Sequence, residues 1–203
     1  PNSFLKNIEY LKNTKFKSFM IMLIKNSNLG WLFIKFFFLL HELFLSPFKK
    51  IHNIKDKKIE TFDEDLDLLW KNSKQNNSFI AVRNCEYLNK LYSDKQFIKL
   101  KFIEKEKVVG WSISLCNKLK KHKQFGNMNL GSIVDCLSIK GYETSIIKKT
   151  AEILKKNGAD LIVSNQSHIY WKNALKMNSF INGPSNFIFA ASKTLSEKLI
   201  NNS

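Results

Sequence analysis

Arginine is almost missing from this 203-residue sequence: Arg83 is the only one among 33 basic residues. The guanidinium fork is the side chain best suited to phosphate and guanine edges. A net charge of +16 carried by lysine therefore argues against nucleic acid as the partner. The lysines run from Lys6 to Lys198, which leaves two readings, a solvated surface or a basic face toward phosphates or acidic lipids. Cysteine is scarce too. Cys85, Cys116 and Cys136 contain no C-x-x-C pair, and His41, His52, His122 and His168 are scattered without H-E-x-x-H, so neither a disulfide framework nor a metal site is expected. A reducing cytoplasm is the compartment implied. The seven glycines form no G-x-S-x-G, no G-x-x-x-x-G-K-[ST] and no G-x-G-x-x-G, which removes the serine hydrolase, P-loop and dinucleotide readings.

Large apolar residues are abundant, and unevenly so. Residues 1–60 hold "FMIMLI" and "LGWLFIKFFFLLHELFLSPF", closed by Pro47 and the basic "KKIHNIKDKK". They read as a hydrophobic and basic linker segment, with the compact domain over 61–203. Since the sequence opens at Pro1 without the layout of a signal peptide, an internal start is expected, with more chain upstream. Within Leu29 to Leu45, Asn28, Lys35, Glu42 and Lys49 recur every seven residues as a narrow polar stripe. Lys35 and Glu42 would sit inside a membrane span, so a spanning helix is rejected. A helix buried against an upstream domain and a helix lying in the membrane interface, with Lys49, Lys50, Lys57 and Lys58 over acidic headgroups, both remain.

From Thr61 onward the periodicity changes repeatedly. "TFDEDLDLLWKNSK" carries a capping box, Thr61 with Glu64, and apolar residues at helical spacing over 62–74. "SFIAV" reads as a strand and "NCEYLNKLYS" as a short helix. "QFIKLKFIEKEKVVGWSISLC" alternates on both sides of a polar turn at Glu104 to Lys107, an antiparallel hairpin in which one face should be buried. "LGSIVDCLSI" is a strand, and the helix after it ends near Asn157 with Gly158 at the terminal glycine position. "ADLIVSN", "SHIYWKNALKMN" and "SNFIFAAS" follow as strand, helix and strand. The fold class is α+β with a mixed, mostly antiparallel sheet flanked by helices and preceded by the hydrophobic linker helix.

That order of elements, with "VVGWSI" and "ALKMNSF", resembles the second half of the GNAT superfamily of N-acyltransferases, over roughly 61–192. "FDEDLDLLW" followed by "AVRNCEYLNKLY" resembles the extended, often tandem members associated with cell-surface glycan synthesis. The resemblance implies acetyl-CoA or another acyl-CoA as cofactor, an amine on a small molecule or glycan precursor as acceptor, and an absent first domain upstream. A GNAT-like module that has lost the cofactor is the competing reading.

In the superfamily a Q/R-x-x-G-x-G/A loop holds the pyrophosphate on backbone N–H groups at a helix start, where unpaired donors and the positive dipole end gather. The matching stretch here, "IKGYETS", keeps one glycine and no arginine. Gly141, Tyr142, Thr144 and Ser145 are the candidates for that site, against an ordinary strand-to-helix turn. Glu143 puts a carboxylate where phosphate would lie. Leu137 and Ile139 are expected to offer backbone groups to the pantetheine arm, and Asn165 either borders that arm or caps the next helix. The superfamily's acid tyrosine is missing from "ALKMNSF", which leaves Tyr170 as acid or as core packing beside Trp171. Asp135, placed by alternation on one face with Ile133, Leu137 and Ile139, reads as a general base with a raised pKa or as a satisfied buried carboxylate. Glu64 and Asp67 could face an amine or solvent. Cys136 is either a small core thiol or a nucleophile paired with His168.

Overall fold

The structure, a computed structural model, describes residues 50–74, 81–123, 125–166 and 168–181, with Phe36, Leu39, Leu40, Leu43 and Glu197 as isolated positions. Strands β1 (Lys55–Ile59), β2 (Ile98–Glu104), β3 (Lys107–His122), β4 (Gly126–Ser138) and β5 (Leu161–Ser164) form one sheet in that spatial order. Among the described strands only β4 and β5 run parallel. Helices α1 (Glu64–Lys74) and α2 (Cys85–Leu91) cover one face, and α3 (Glu143–Lys156) and α4 (Ile169–Met177) the other. The expected α+β class and mostly antiparallel sheet are observed. "SFIAV" and "SNFIFAAS" lie largely outside the described residues.

Each face has its own core. Under α3 and α4, Leu100, Phe102, Val109, Ile133 and Cys136 meet Ile146, Ile147, Leu154, Trp171 and Leu175. Under α1 and α2, Trp111, Ile113 and Leu137 meet Phe62, Leu66, Leu69, Trp70 and Leu88. The hairpin strand β3 is thus covered on both sides, where its sequence alternation promised one. Ser112 and Ser114 are wholly buried, and Ser112 Oγ lies 2.8 Å from Thr150 Oγ1 of α3, which satisfies both hydroxyls. A Cβ on Gly110 would stand 2.6 Å from the Leu137 carbonyl oxygen of β4 and press on Ile146 of α3, so a side chain is barred there.

The lysines of "IKLKFIE" are absorbed in the same way. Lys99 donates to the Glu60 carbonyl, while the Lys101 ammonium bridges the Asp63 and Asp65 carboxylates at the start of α1. Burial disfavours that ammonium, yet the two carboxylates outweigh it and raise its pKa. Helix α1 starts at Glu64, two residues after its expected start, because Phe62 is held out of it: its N–H donates to Asn89 Oδ1 and its carbonyl accepts from Asn89 Nδ2. The Thr61 capping box is therefore not the start of the helix.

The stretch read as linker supplies β1, which pairs along its length with β2, and Ile54 just before it is 2% exposed in the core. Both C-terminal helix ends close with paired backbone bonds. After α3, Gly158 N–H donates to Lys155 and Ala159 N–H to Leu154, with Gly158 at φ +85°. After α4, Ser179 donates to Lys176 and Phe180 to Leu175, with Ser179 at φ +63°. This is the glycine-terminated closure of a helix, made the second time by a residue that has a Cβ.

Two outcomes follow from this packing. Ser179→Gly should raise stability by about 0.5–1 kcal/mol in chemical denaturation, because the left-handed position no longer carries a side chain; a loss would mean that the serine hydroxyl outweighs the backbone. A chain trimmed to begin at Lys50 should keep its cooperative unfolding transition, whereas one beginning at Thr61, without Ile54 and β1, should melt at a clearly lower temperature or aggregate; equal melting temperatures would show β1 to be dispensable.

Candidate functional site

One extra residue in β4 organises the region that the sequence singles out. Ile113 pairs with Asp135 and Ser114 with Ile133, so Val134 is left between them as a β-bulge. Strict alternation would put Ile133, Asp135 and Leu137 on one face, but the bulge divides them. Ile133 packs under α3 and α4, while Leu137 packs under α1 and α2. Asp135 turns toward Arg83, just before α2, whose Nε lies 3.1 and 3.0 Å from its two carboxylate oxygens. The carboxylate also accepts from Cys136 N–H at 2.9 Å, and Arg83 donates from Nη1 to the Ala81 carbonyl. The geometry matches the satisfied-carboxylate reading, for the negative charge is shared between a guanidinium and a backbone donor. Nearby, burial and then the Asp135 charge raise the Tyr92 hydroxyl above its ordinary pKa.

The strands part at the bulge. Strand β5 pairs with β4 from Leu130–Leu161 to Ile133–Ser164 and stops, while β4 continues along β3 to Ser138. Among the described residues the edge of β4 beyond Val134 has no strand partner, and Gln166 Nε2 lies 3.4 Å from the Val134 carbonyl. Ile139 N–H donates to Val109 of β3, so alternation turns the backbone groups of Leu137 and Ile139 toward β3, and those of Cys136 and Ser138 toward the open side. The expected donors are therefore shifted by one residue. Val134, Ile139, Ile169 and Tyr170, all well exposed, give the bordering elements an apolar character.

At the far end of this edge stands the N-terminus of α3. Gly141, at φ +99°, opens the turn, and its N–H donates to Glu143 Oε2 at 2.8 Å. The chain's own carboxylate thus sits at the start of α3, where the resemblance expected a phosphate. Tyr142 and Ser145 face elsewhere. Tyr142 stacks on His52 at 4.1 Å and donates to Glu104 Oε2 at 2.6 Å, a bond that raises the phenol's pKa. The buried Ser145 Oγ accepts from His52 N–H at 2.8 Å. Thr144 turns its carbonyl to Asn178 Nδ2. These three residues tie His52 and the end of α4 to the start of α3.

Tyr170 is 44% exposed on the first turn of α4, with Lys140 Nζ 5.2 Å from its ring centre, so it is not packed in the core beside the buried Trp171. His168, not Asn165, caps α4, accepting from Tyr170 N–H; Asn165 is exposed just past the end of β5. Asp67 accepts from Cys85 N–H and Glu64 lies exposed. Burial, helped by Asp67, pushes the Cys85 thiol up to about 12, and burial raises Cys136 as well, which leaves neither thiol ready as a nucleophile. Among the described residues no group of three metal-ligating side chains is gathered. Arg83 was legible as the lone arginine, but its partner stands 52 residues away and nothing local announces it.

No protein-family profile matches the sequence, and no curated protein does. Solved structures match its shape. A Pyrococcus furiosus protein described as an acetyl transferase aligns with a TM-score of 0.50 at 14% identity, over 69% of this chain and 100% of its own. A GNAT family acetyltransferase of Staphylococcus aureus gives 0.48 at 15% identity, over 69% and 100%. A Clostridium acetobutylicum protein determined with acetyl-CoA, described as a predicted acetyltransferase, gives 0.48 at 12%, over 68% and 96%. The chain has the GNAT-like fold that its order of elements suggested.

The ion pair is open to a direct check. Asp135→Asn should cost about 2–4 kcal/mol, since Arg83 then keeps a largely buried charge without its counterion. Adding Arg83→Met should recover part of that loss, with a coupling above about 1 kcal/mol in a double-mutant cycle. Strictly additive losses would mean that the two side chains do not act as a pair.

Proposed function

We propose that this chain is an acyl-CoA-dependent N-acyltransferase acting on an amine, with a glycan or nucleotide-sugar precursor as the acceptor class. The observation that carries the reading is the parting of β4 and β5 at Val134, which frees the β4 edge and runs it toward the start of α3. An extended, amide-bearing arm such as pantetheine pairs with such an edge as an added strand would. Cys136 and Ser138 would supply its backbone partners, Val134 and Ile139 its apolar border, and Gly141 with Thr144 the phosphate end once Glu143 swings aside. Acyl-CoA supplies an activated thioester.

The protein's own part is to hold the amine close and to manage two protons. Asp135 serves on this reading as the acceptor-side carboxylate, oriented by Arg83 and drawing a proton from an ammonium only when that pair loosens. Tyr170, exposed beside Lys140 at the end of the β4 edge, is the hydroxyl able to give a proton to a departing thiolate. Residues 1–49 would belong to an upstream domain or meet a membrane surface; Phe36, Leu39, Leu40 and Leu43, exposed at helical spacing, support a partner for that segment. A second reading, a GNAT-like structural or interaction module without cofactor, is favoured by one observation, the Glu143 carboxylate on Gly141 N–H.

Calorimetric titration with CoA separates the two. The enzyme reading expects measurable binding that weakens with salt, and in Glu143→Ala an affinity about three- to tenfold higher, because a competing carboxylate has left the helix start. Heat change from neither protein at millimolar CoA would leave the module reading standing.

A further inference from the structure

We infer that the two-stranded arm formed by residues 117–123 and 125–129 is a docking element for membranes rich in anionic phospholipid. Strand β2 accompanies β3 only as far as Ser114, and β5 accompanies β4 only from Leu130, so beyond these points β3 and β4 continue as a ribbon that no other strand among the described residues flanks. No aspartate or glutamate occurs from Lys107 to Val134, whereas Lys118, Lys120, Lys121 and Lys123 fall within six residues. Asp160 stands at the root of the arm, where it accepts from Asn129 N–H. Lys118, Lys120 and Lys121 are exposed and border an open recess that Leu119, Met128 and the Asp160 carboxylate at the root also line, and Lys121 N–H donates to Asn127 Oδ1 at 2.7 Å to tighten the tip.

The ribbon has two faces. Leu119 pairs with Met128 across it, and alternation sends Lys118 and Lys120 to the opposite face. Phe125 stacks with His122 at the tip. Apolar groups backed by lysines whose stems can reach past them suit the boundary between acyl chains and phosphates. Nucleic acid fits less well, because the chain's single guanidinium is committed to Asp135. Stable membrane attachment takes two weak elements, and the exposed helical side chains at Phe36, Leu39, Leu40 and Leu43 provide the second. Both features belong to the chain whatever the β4 edge binds.

The test is flotation of the full chain with vesicles of phosphatidylcholine alone and of phosphatidylcholine with phosphatidylglycerol, at low and at physiological salt. Binding should need the anionic lipid and fall with salt. The triple variant Lys118→Gln, Lys120→Gln, Lys121→Gln, altered only at exposed positions, should keep its melting temperature and lose about one to two orders of magnitude in vesicle affinity. Leu119→Asp, a second variant that keeps every lysine, should lose affinity as well. Equal binding by wild type and both variants, indifference to the anionic lipid, or tighter binding to a single-stranded oligonucleotide than to vesicles would each overturn the assignment.

Discussion

A single extra residue at Val134 governs the part of this molecule that holds the candidate site. The bulge changes the phase of β4, so that Asp135 meets Arg83 instead of joining Ile133 under α3. At the same place β5 loses its register, and the open edge begins. Burial of the carboxylate, commitment of the only arginine and the gap between strands have one common cause. Bulges are used in this way where a strand must turn one side chain to a new surface and end its pairing.

Much of the fold was legible because its period is written locally. Leu66, Leu69 and Trp70 mark α1, the alternation around Glu104 to Lys107 marks the hairpin, and Gly158 marks the end of α3. What stayed hidden has physical reasons. Strand β1 reads KDKKI, an exposed edge with no apolar rhythm, and only the pairing with β2 makes it a strand. The outer part of the β3–β4 ribbon is polar on one face and sparse on the other, so its sequence resembles a loop. Alternation predicts faces only while the register is unbroken, and no residue type at Val134 announces the break.

The candidate site was legible in outline and displaced in detail. The turn at Gly141 was expected, and the Glu143 carboxylate beside it accepts from Gly141 N–H. Tyr142 and Ser145 were candidates by their place in the sequence, but His52 and Glu104 claim them through contacts that reach 93 residues along the chain for Ser145. Such long-range claims cannot be read from spacing. They also explain why the segment around His52 behaves as part of the domain: it is stacked, bonded and paired to the first turn of α3.

The position of β1 also bears on the order in which the molecule assembles. Its partners in β2 lie far along the chain, Lys57 opposite Lys101, while the turn between β2 and β3 spans two residues. Closing the short loop costs little conformational entropy and closing the long one costs more, so the β2–β3 hairpin can form early and β1 must wait for it. Among the described strands β1 is the one that closes the longest loop, so tension or a partner acting on the chain before Lys50 would be felt at β1 and at the His52 contact on α3.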